Sequence, residues 1–143
     1  MSAEQNLRIV QDMYAAFSRG DLGFVLDQIA EDCDDFCVVS GTETGVPWHL
    51  QGKYRGRRAA SAFFEALAGS VDHQAFEQRD FAASAEHVYA TVRLVQRVHE
   101  TGRILEQPEV IHHFTFRNGK VVSCRVAEDT ALTKAAFERP KAR

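Results

Sequence analysis

The chain has 143 residues, of which 45% are hydrophobic and 26% charged, the balance of one folded domain with its own core. A net charge of −3 gives no basis for a nucleic-acid or anionic-membrane partner, and no segment approaches the ~20 apolar residues that span a bilayer. We therefore expect a single domain, residues 1–143. The three cysteines lack a CxxC spacing, and the polar start lacks the apolar run of a secretory signal, so we expect the protein in the cytoplasm.

Two helices are predicted at the start of the chain. Residues 3–19 carry apolar side chains at helical spacing, and Gly20 is expected to end this helix in a left-handed conformation. Asp21 is then expected to cap a second helix that runs to about residue 32. Because the link between them is tight, the two helices should form a hairpin. Their apolar stripes comprise Leu7, Val10, Met13, Tyr14, Phe17, Leu22, Val25, Leu26 and Ile29.

A short strand at residues 34–40 is followed by a long irregular segment, residues 41–56, that contains four glycines. Segments of this length in a compact domain are often lids over a site, or are disordered. Trp48, His49 and Tyr54 disfavour simple disorder. We therefore expect the segment either to cover the mouth of a pocket or to pack onto the domain through Trp48.

A third helix is predicted at residues 57–68, between Gly56 at its start and Gly69 at its end. Three strands follow, at residues 73–83, 87–99 and 103–117. The odd spacing of the two phenylalanines in the first strand predicts a bulge, and Pro108 predicts a bulge or an edge position in the third. The second strand alternates, with one face formed by Val88, Ala90, Val92, Leu94 and Val98.

The strongest turn signal is Asn118-Gly119, which joins strands at residues 109–117 and 120–129. The loop has either two residues, Asn118 and Gly119, or three, beginning at Arg117. The two choices differ in which side chains of the second strand share a face with His112 and Phe114. We adopt the three-residue loop because it gives a mainly apolar face with a few polar groups, which is typical of a small-molecule pocket. That face carries His112, Phe114, Phe116, Val122, Cys124, Val126 and Glu128.

Helices followed by antiparallel strands with short turns indicate an α+β fold, with helices packed on one face of a curled sheet. A short final helix is predicted within residues 130–143, and residues 138–143 are expected to be a frayed tail.

Three segments together resemble the NTF2-like superfamily. IVQDMYAAFSRGDL, at residues 9–22, resembles its opening helix pair, and GKYRGRRAASAFFEAL, at residues 52–67, resembles the third helix of its SnoaL-like branch. HHFTFRNGKVVSCRVAED, at residues 112–129, resembles the terminal hairpin of that branch. The resemblance implies a cone-like curved antiparallel sheet wrapped around three helices (an NTF2-like, cystatin-like α+β barrel), with a deep pocket and usually a homodimer.

The superfamily includes ketosteroid isomerases, polyketide cyclases, epoxide hydrolases, dehydratases and binding modules, so the resemblance alone does not choose a function. Alignment on the helix turn puts the isomerase tyrosine at Met13, beside Tyr14, the aspartate base at Cys37 and the protonated aspartate at His112. All three positions depart from the isomerase pattern, so steroid isomerisation by that machinery is not expected. An epoxide hydrolase cluster would need an inward arginine, and the adopted register turns Arg125 away from the pocket.

SnoaL-type cyclases perform aldol chemistry, which needs a base beside a carbonyl and a donor that stabilises the enolate. His112 could serve either role because its ordinary pKa of ~6.5 is near neutrality. Glu128 could be the base if burial raises its pKa, and Asp129, with the opposite parity, is the alternative. The residues expected to line or close the cavity are Tyr14, Trp48, His49, Tyr54, Phe114 and Cys124.

The first hypothesis is a cofactor-independent lyase, isomerase or cyclase that acts on a hydrophobic small molecule. The alternative is a non-catalytic small-molecule-binding or dimerisation module of the same fold. The missing family residues favour the module, whereas His112, Cys124 and Glu128 on one apolar wall favour the enzyme. A buried cysteine is usually inert packing, which is the ordinary role for Cys124. The histidine spacing and the absence of a glycine-rich phosphate loop predict no metal and no cofactor.

Overall fold

The computed structural model describes residues 2–39 and 56–138, which form four helices and five strands. The elements are α1 (Ala3–Ser18), α2 (Leu22–Asp27), β1 (Asp35–Val39), α3 (Gly56–Ser70), β2 (Val71–Ala83), β3 (His87–Val98), β4 (Ile104–Arg117), β5 (Lys120–Ala127) and α4 (Thr130–Phe137). This order confirms the α+β prediction. Most of the irregular segment, with Trp48, His49 and Tyr54, lies outside the described residues, as do residues 139–143 of the predicted tail. No helix in the described ranges is long and apolar enough to cross a lipid bilayer.

The first helical hairpin forms as predicted up to the end of α2. Gly20 has a φ of 78°, and the Asp21 carboxylate accepts a hydrogen bond from Phe24 N at 3.1 Å. The helix α2 ends at Asp27, several residues before the predicted boundary. The chain leaves the helix because its next residues pair with β5: Ala30 N donates to Val121 O at 2.9 Å, and Asp34 N donates to Val122 O at 3.0 Å.

The helix α3 is longer than predicted at its C-terminus. It continues through Gly69 to Ser70, and β2 begins at the next residue, so Gly69 does not end the helix. Gly56 is required at the helix start, since its φ is +78° and a Cβ there would lie 2.8 Å from Glu31 O.

The five strands form one sheet, in the order β1-β5-β4-β3-β2. The predicted antiparallel pairing holds for β2 to β5, whereas β1 pairs with β5 in parallel, so the sheet is mixed and open at β1 and β2. Register shifts in β2, and opposite Pro108 in β4, confirm the predicted bulges. Bulges bend strands, and the helices α1 and α3 pack against the sheet.

The β4–β5 hairpin corrects the predicted loop while keeping most of the predicted face. Arg117 pairs with Lys120, so the loop has two residues, and Asn118 and Gly119 have φ values of 52° and 74°, as a type I′ turn requires. A bulge at Val122 then shifts the register. Because of that bulge, Phe114 pairs with Cys124 and His112 pairs with Val126, while Val121 rather than Val122 is fully buried.

Candidate functional site

A cavity of about 120 Å³ lies between the sheet and the helices α1, α2 and α3. Its wall is mainly aliphatic and aromatic, with a small number of polar or thiol groups, as in small-molecule sites. Those groups belong to Tyr14, Cys37, His73, Gln96, His112, Cys124 and Glu128. The predicted residues Tyr14, His112, Phe114, Cys124 and Glu128 therefore share one cavity.

Tyr14 and His112 form the central polar contact of the cavity. The Tyr14 hydroxyl lies 2.6 Å from His112 Nδ1, and the two rings are stacked with centroids 5.8 Å apart. Three phenylalanine rings surround Tyr14 at 5.9, 6.1 and 6.0 Å; they are Phe76, Phe81 and Phe114. His112 is half-buried, and it lines the cavity.

The hydrogen bond between these residues fixes the proton positions. Burial lowers the pKa of His112 to about 4, so the imidazole is neutral at pH 7. Burial, followed by electrostatic interaction with Cys124 and Cys37, raises the pKa of Tyr14 well above its ordinary value, so the phenol keeps its proton. Among the described residues His112 Nδ1 is the one hydrogen-bond partner of the Tyr14 hydroxyl, so we assign the phenol as the donor to an unprotonated Nδ1, which leaves the imidazole proton on Nε2.

Glu128 lies just beyond β5, two residues after Val126, on the cavity side of the strand. Burial raises its pKa, with a further contribution from the neighbouring charge of Asp129, while a hydrogen bond from Thr133 lowers it. The Thr133 hydroxyl and Gln107 Nε2, the latter at 3.4 Å, both donate to Glu128 Oε2. The result is a partly desolvated carboxylate with a fixed orientation.

Asp129, the alternative acid, has a different structural role. It is the N-cap of α4, and its Oδ1 accepts hydrogen bonds from Ala131 N at 3.1 Å and Leu132 N at 3.2 Å. Its side chain is exposed and does not line the cavity. Of the two adjacent acids, only Glu128 belongs to the candidate site.

Comparison with known proteins places the chain in a family. The sequence model of the SnoaL-like domain family matches residues 10–124 of this chain. This chain belongs to the SnoaL-like domain family. An NTF2-like protein from Burkholderia xenovorans LB400 is 30% identical, with coverage of 96% of this chain and 99% of that chain and a TM-score of 0.83. No curated protein matches the chain.

Two further solved structures share the fold of this SnoaL-like domain. A protein from Bacillus subtilis, described as a candidate isomerase, is 20% identical, covers 96% of each chain and has a TM-score of 0.76. A protein from Xanthomonas campestris pv. campestris, described as a candidate polyketide cyclase, is 20% identical, covers 96% of this chain and 100% of its own, and has a TM-score of 0.74. At this identity the likeness establishes the fold and leaves the function open.

Two thiols of the SnoaL-like domain, Cys33 and Cys37, are unsuited to act as nucleophiles. Cys37 has a φ of 58° at a bulge in β1, next to the position where Phe36 pairs with Cys124. A hydrogen bond with Cys124, followed by burial, raises the pKa of the Cys37 thiol well above its ordinary value. Burial is also the main reason that the pKa of Cys33 rises to about 12. Thiols with raised pKa values are poor nucleophiles at neutral pH.

Three polar residues of the site were missed by the sequence analysis. His73 and Gln96 form a hydrogen-bonded pair on the cavity wall. Gln107, which is 1% exposed, donates a hydrogen bond from its amide to Glu128. Position 96 has the inward parity of β3, between Leu94 and Val98, so a glutamine in an otherwise apolar alternation was the available signal. Gln107 had no such signal, because its partners lie at the start of α4.

The outer face of the sheet carries Arg125, which was predicted to point away, and His113. His113 contacts His87, with 2.9 Å between His87 Nδ1 and His113 Nε2, so His113 faces the side of the sheet opposite to His112. Arg125 is exposed and pairs with Asp35 at 3.4 Å, which leaves the cavity without it. In the described ranges, no group of three or more His, Cys, Asp or Glu side chains could hold a metal ion.

Proposed function

We propose that this SnoaL-like domain catalyses proton transfer at a carbon next to a carbonyl group, as a cofactor-independent lyase, isomerase or cyclase acting on a small hydrophobic molecule. The observation that carries the proposal is a neutral His112 whose Nδ1 is occupied by Tyr14, in the same cavity as a carboxylate with a raised pKa. This arrangement supplies a hydrogen-bond donor and a base within one apolar enclosure.

In the proposed step, the Glu128 carboxylate removes a proton from the carbon beside the carbonyl. The electron pair of that C–H bond forms the enolate, and Glu128 becomes a neutral carboxylic acid. His112 Nε2–H donates a hydrogen bond to the carbonyl oxygen as negative charge develops on it. Return of the proton from Glu128 to a different carbon of a conjugated enolate would give isomerisation. Attack of the enolate carbon on a second carbonyl of the same molecule would give cyclisation, and the proton held by Glu128 would pass to the new alkoxide oxygen.

The electrostatic setting of the two residues suits these roles. Enclosure keeps His112 neutral, so it acts as a hydrogen-bond donor without the desolvation cost of an imidazolium. Enclosure also brings the pKa of Glu128 towards neutrality, where a general base is most effective. Along an extended chain, the two residues from Val126 to Glu128 cover about 6–7 Å, so one small substrate can reach Glu128 and the His112 that pairs with Val126.

Deuterium exchange tests the proposal without knowledge of the natural substrate. Acetophenone and related aromatic ketones are incubated with the protein in D2O, and the loss of the proton signal beside the carbonyl is followed by NMR. We expect exchange above the buffer rate, and we expect Glu128→Gln to lower it about 100-fold or more while the fold is retained. Glu106→Gln, on the exposed outer face of β4, is the matched control and should leave the rate unchanged.

The second candidate function is ligand binding without turnover. Its support is the pair of hydrogen bonds that Glu128 accepts from Thr133 and Gln107, because a carboxylate held by structural donors also suits a purely architectural role. Ketones that raise the melting temperature, together with exchange at the buffer rate in the wild type, would replace the enzyme proposal with this one. Exchange that survives Glu128→Gln would remove Glu128 from the mechanism.

A further inference from the structure

His73 and Gln96 form a second polar pair on the cavity wall, apart from the Tyr14–His112 contact. They face each other across the paired strands β2 and β3, with His73 Nε2 and Gln96 Nε2 3.0 Å apart. Gln96 is 6% exposed, and in the described part of the chain this is the one hydrogen bond of its side chain.

The remaining polar atoms of the pair have no hydrogen-bond partner among the described residues. Among described residues, the one fully enclosed side-chain polar atom without a partner is Asn6 Oδ1. His73 Nδ1 and the amide oxygen of Gln96 have no partner in those ranges, and they must therefore retain accessible surface. Both residues line the cavity. A buried amide with an unused acceptor is the kind of group that a ligand satisfies.

The hydrogen-bonding character of the pair does not depend on how its protons are arranged. If the Gln96 amide donates to His73 Nε2, the free atoms are the His73 Nδ1–H donor and the Gln96 oxygen acceptor. If His73 Nε2–H instead donates to the Gln96 oxygen, the free atoms are a Nδ1 acceptor and the amide N–H donors. In both cases the pair presents one donor position and one acceptor position, which together match a hydroxyl group.

The pair lies close enough to His112 for both to contact one small ligand. The ring of Phe76 contacts both histidines, with centroids 5.5 Å from His73 and 6.3 Å from His112. The cavity of about 120 Å³ is close in size to an apolar cavity of ~150 Å³ that holds one benzene ring. A single ring that packs on Phe76 would therefore direct one substituent to His112 and another to His73 and Gln96.

We propose that His73 and Gln96 are a specificity subsite for a hydroxyl group, so that the ligand is a single-ring hydroxy ketone or a compound of equal size with the same two groups. The carbonyl lies at His112 and the hydroxyl at the His73–Gln96 pair. Only the carbonyl end of this assignment rests on the proposed function. The hydroxyl end is a binding interaction that exists with or without turnover.

A matched pair of ligands tests the subsite. The probes are 4-hydroxyacetophenone and 4-methylacetophenone, which differ by a hydroxyl and a methyl group of similar size. We expect the wild type to bind the hydroxy compound about tenfold more tightly, as measured by calorimetry or ligand-observed NMR. Gln96→Leu and His73→Phe should each reduce that ratio to about one, whereas Gln78→Leu, on β2 outside the cavity lining, should preserve it.

Each outcome bears on one proposal. A wild-type ratio near one, failure of both ketones to bind, or a ratio that survives both cavity substitutions would overturn the subsite. The wild-type comparison decides the matter even if one variant does not fold. Deuterium exchange measured on the same samples separates the two proposals. Exchange without hydroxyl preference retains the proton-transfer function alone, and hydroxyl preference without exchange retains the subsite alone.

Discussion

His112 and Glu128 respond to the same apolar enclosure in opposite directions. Removal of water disfavours the charged form of each group, so the pKa of the imidazole falls to about 4 while the pKa of the carboxyl group rises. The pair therefore combines a neutral hydrogen-bond donor with a base whose pKa is closer to neutrality. In other enzymes, environments that shift the pKa values of two groups in different ways identify the acid and the base. Tyr14 completes the arrangement because its hydroxyl occupies the one imidazole nitrogen that would otherwise compete for the proton.

Replacement of Tyr14 by phenylalanine tests this arrangement at the residue scale. The loss of the hydroxyl leaves His112 Nδ1 buried without its donor, which should cost about 1–3 kcal/mol of unfolding free energy. Without Tyr14, the two imidazole tautomers become comparable in energy. We expect the ring ¹⁵N chemical shifts of His112 to show one tautomer in the wild type at pH 7 and a mixture in Tyr14→Phe, with slower deuterium exchange.

Tyr89→Phe is the control for that experiment. Tyr89 is exposed on the outer face of β3, where its ring stacks on His113 at 4.4 Å. This substitution should leave both the His112 spectrum and the exchange rate unchanged. A single His112 tautomer in Tyr14→Phe would contradict the assignment of the Tyr14 hydroxyl as the residue that fixes the proton.

At the scale of elements, the β4–β5 hairpin shows which parts of a site a sequence can specify. Asn118-Gly119 marks the turn because both positions need a positive φ, which is a local requirement. The bulge at Val122 has no local signal, since it arises where Val121 and Val122 accept hydrogen bonds from Ala30 and Asp34. The predicted register therefore placed His112 on the correct face through the wrong loop length, and its observed partner is Val126.

The start of α4 provides a prediction that separates two adjacent acids. Asp129 caps two backbone N–H groups, so Asp129→Ala should lower the unfolding free energy by about 1 kcal/mol, as measured by urea denaturation. Because Asp129 does not line the cavity, ligand binding should be retained. Asp129→Asn keeps a good cap and should be nearly neutral in stability. It should also lower the pKa of Glu128 in the exchange profile, because it removes a neighbouring negative charge.

Glu128→Gln should give the reverse pattern at the next position. An amide oxygen can still accept hydrogen bonds from Thr133 and Gln107, so the stability change should be small while exchange is lost. Loss of exchange in Asp129→Ala with an intact fold would instead assign the base to Asp129.

Across the whole molecule, the parts that were predictable are those that depend on local periodicity. The alternation of β3, the two helices of the first hairpin and the bulge near Pro108 follow from side-chain spacing and backbone chemistry. The parallel pairing of β1, the early end of α2 and the contact between His73 and Gln96 depend on segments far apart in sequence. The same limit applies to Tyr14 and His112, which are 98 residues apart and meet only when the curved sheet closes over α1.

The buried histidine predicts how the stability of the whole molecule depends on pH. The pKa of His112 is about 4 when folded and ~6.5 when unfolded, so between these values the unfolded chain binds the proton more strongly. Stability from this group is complete above pH ~6.5 and is lost as the pH falls towards 4, by about 2 kcal/mol at pH 5. The lowered pKa of His73 acts in the same direction, whereas the raised pKa of Glu128 opposes it by favouring the folded state as the pH falls.

Urea denaturation at pH 7 and pH 5 measures the summed effect of these groups on stability, and His112→Gln isolates the contribution of His112. We expect the wild type to lose more stability than the variant over this interval, by about 2 kcal/mol. Equal losses in the two proteins would contradict this prediction, because they would mean that folding does not lower the pKa of His112.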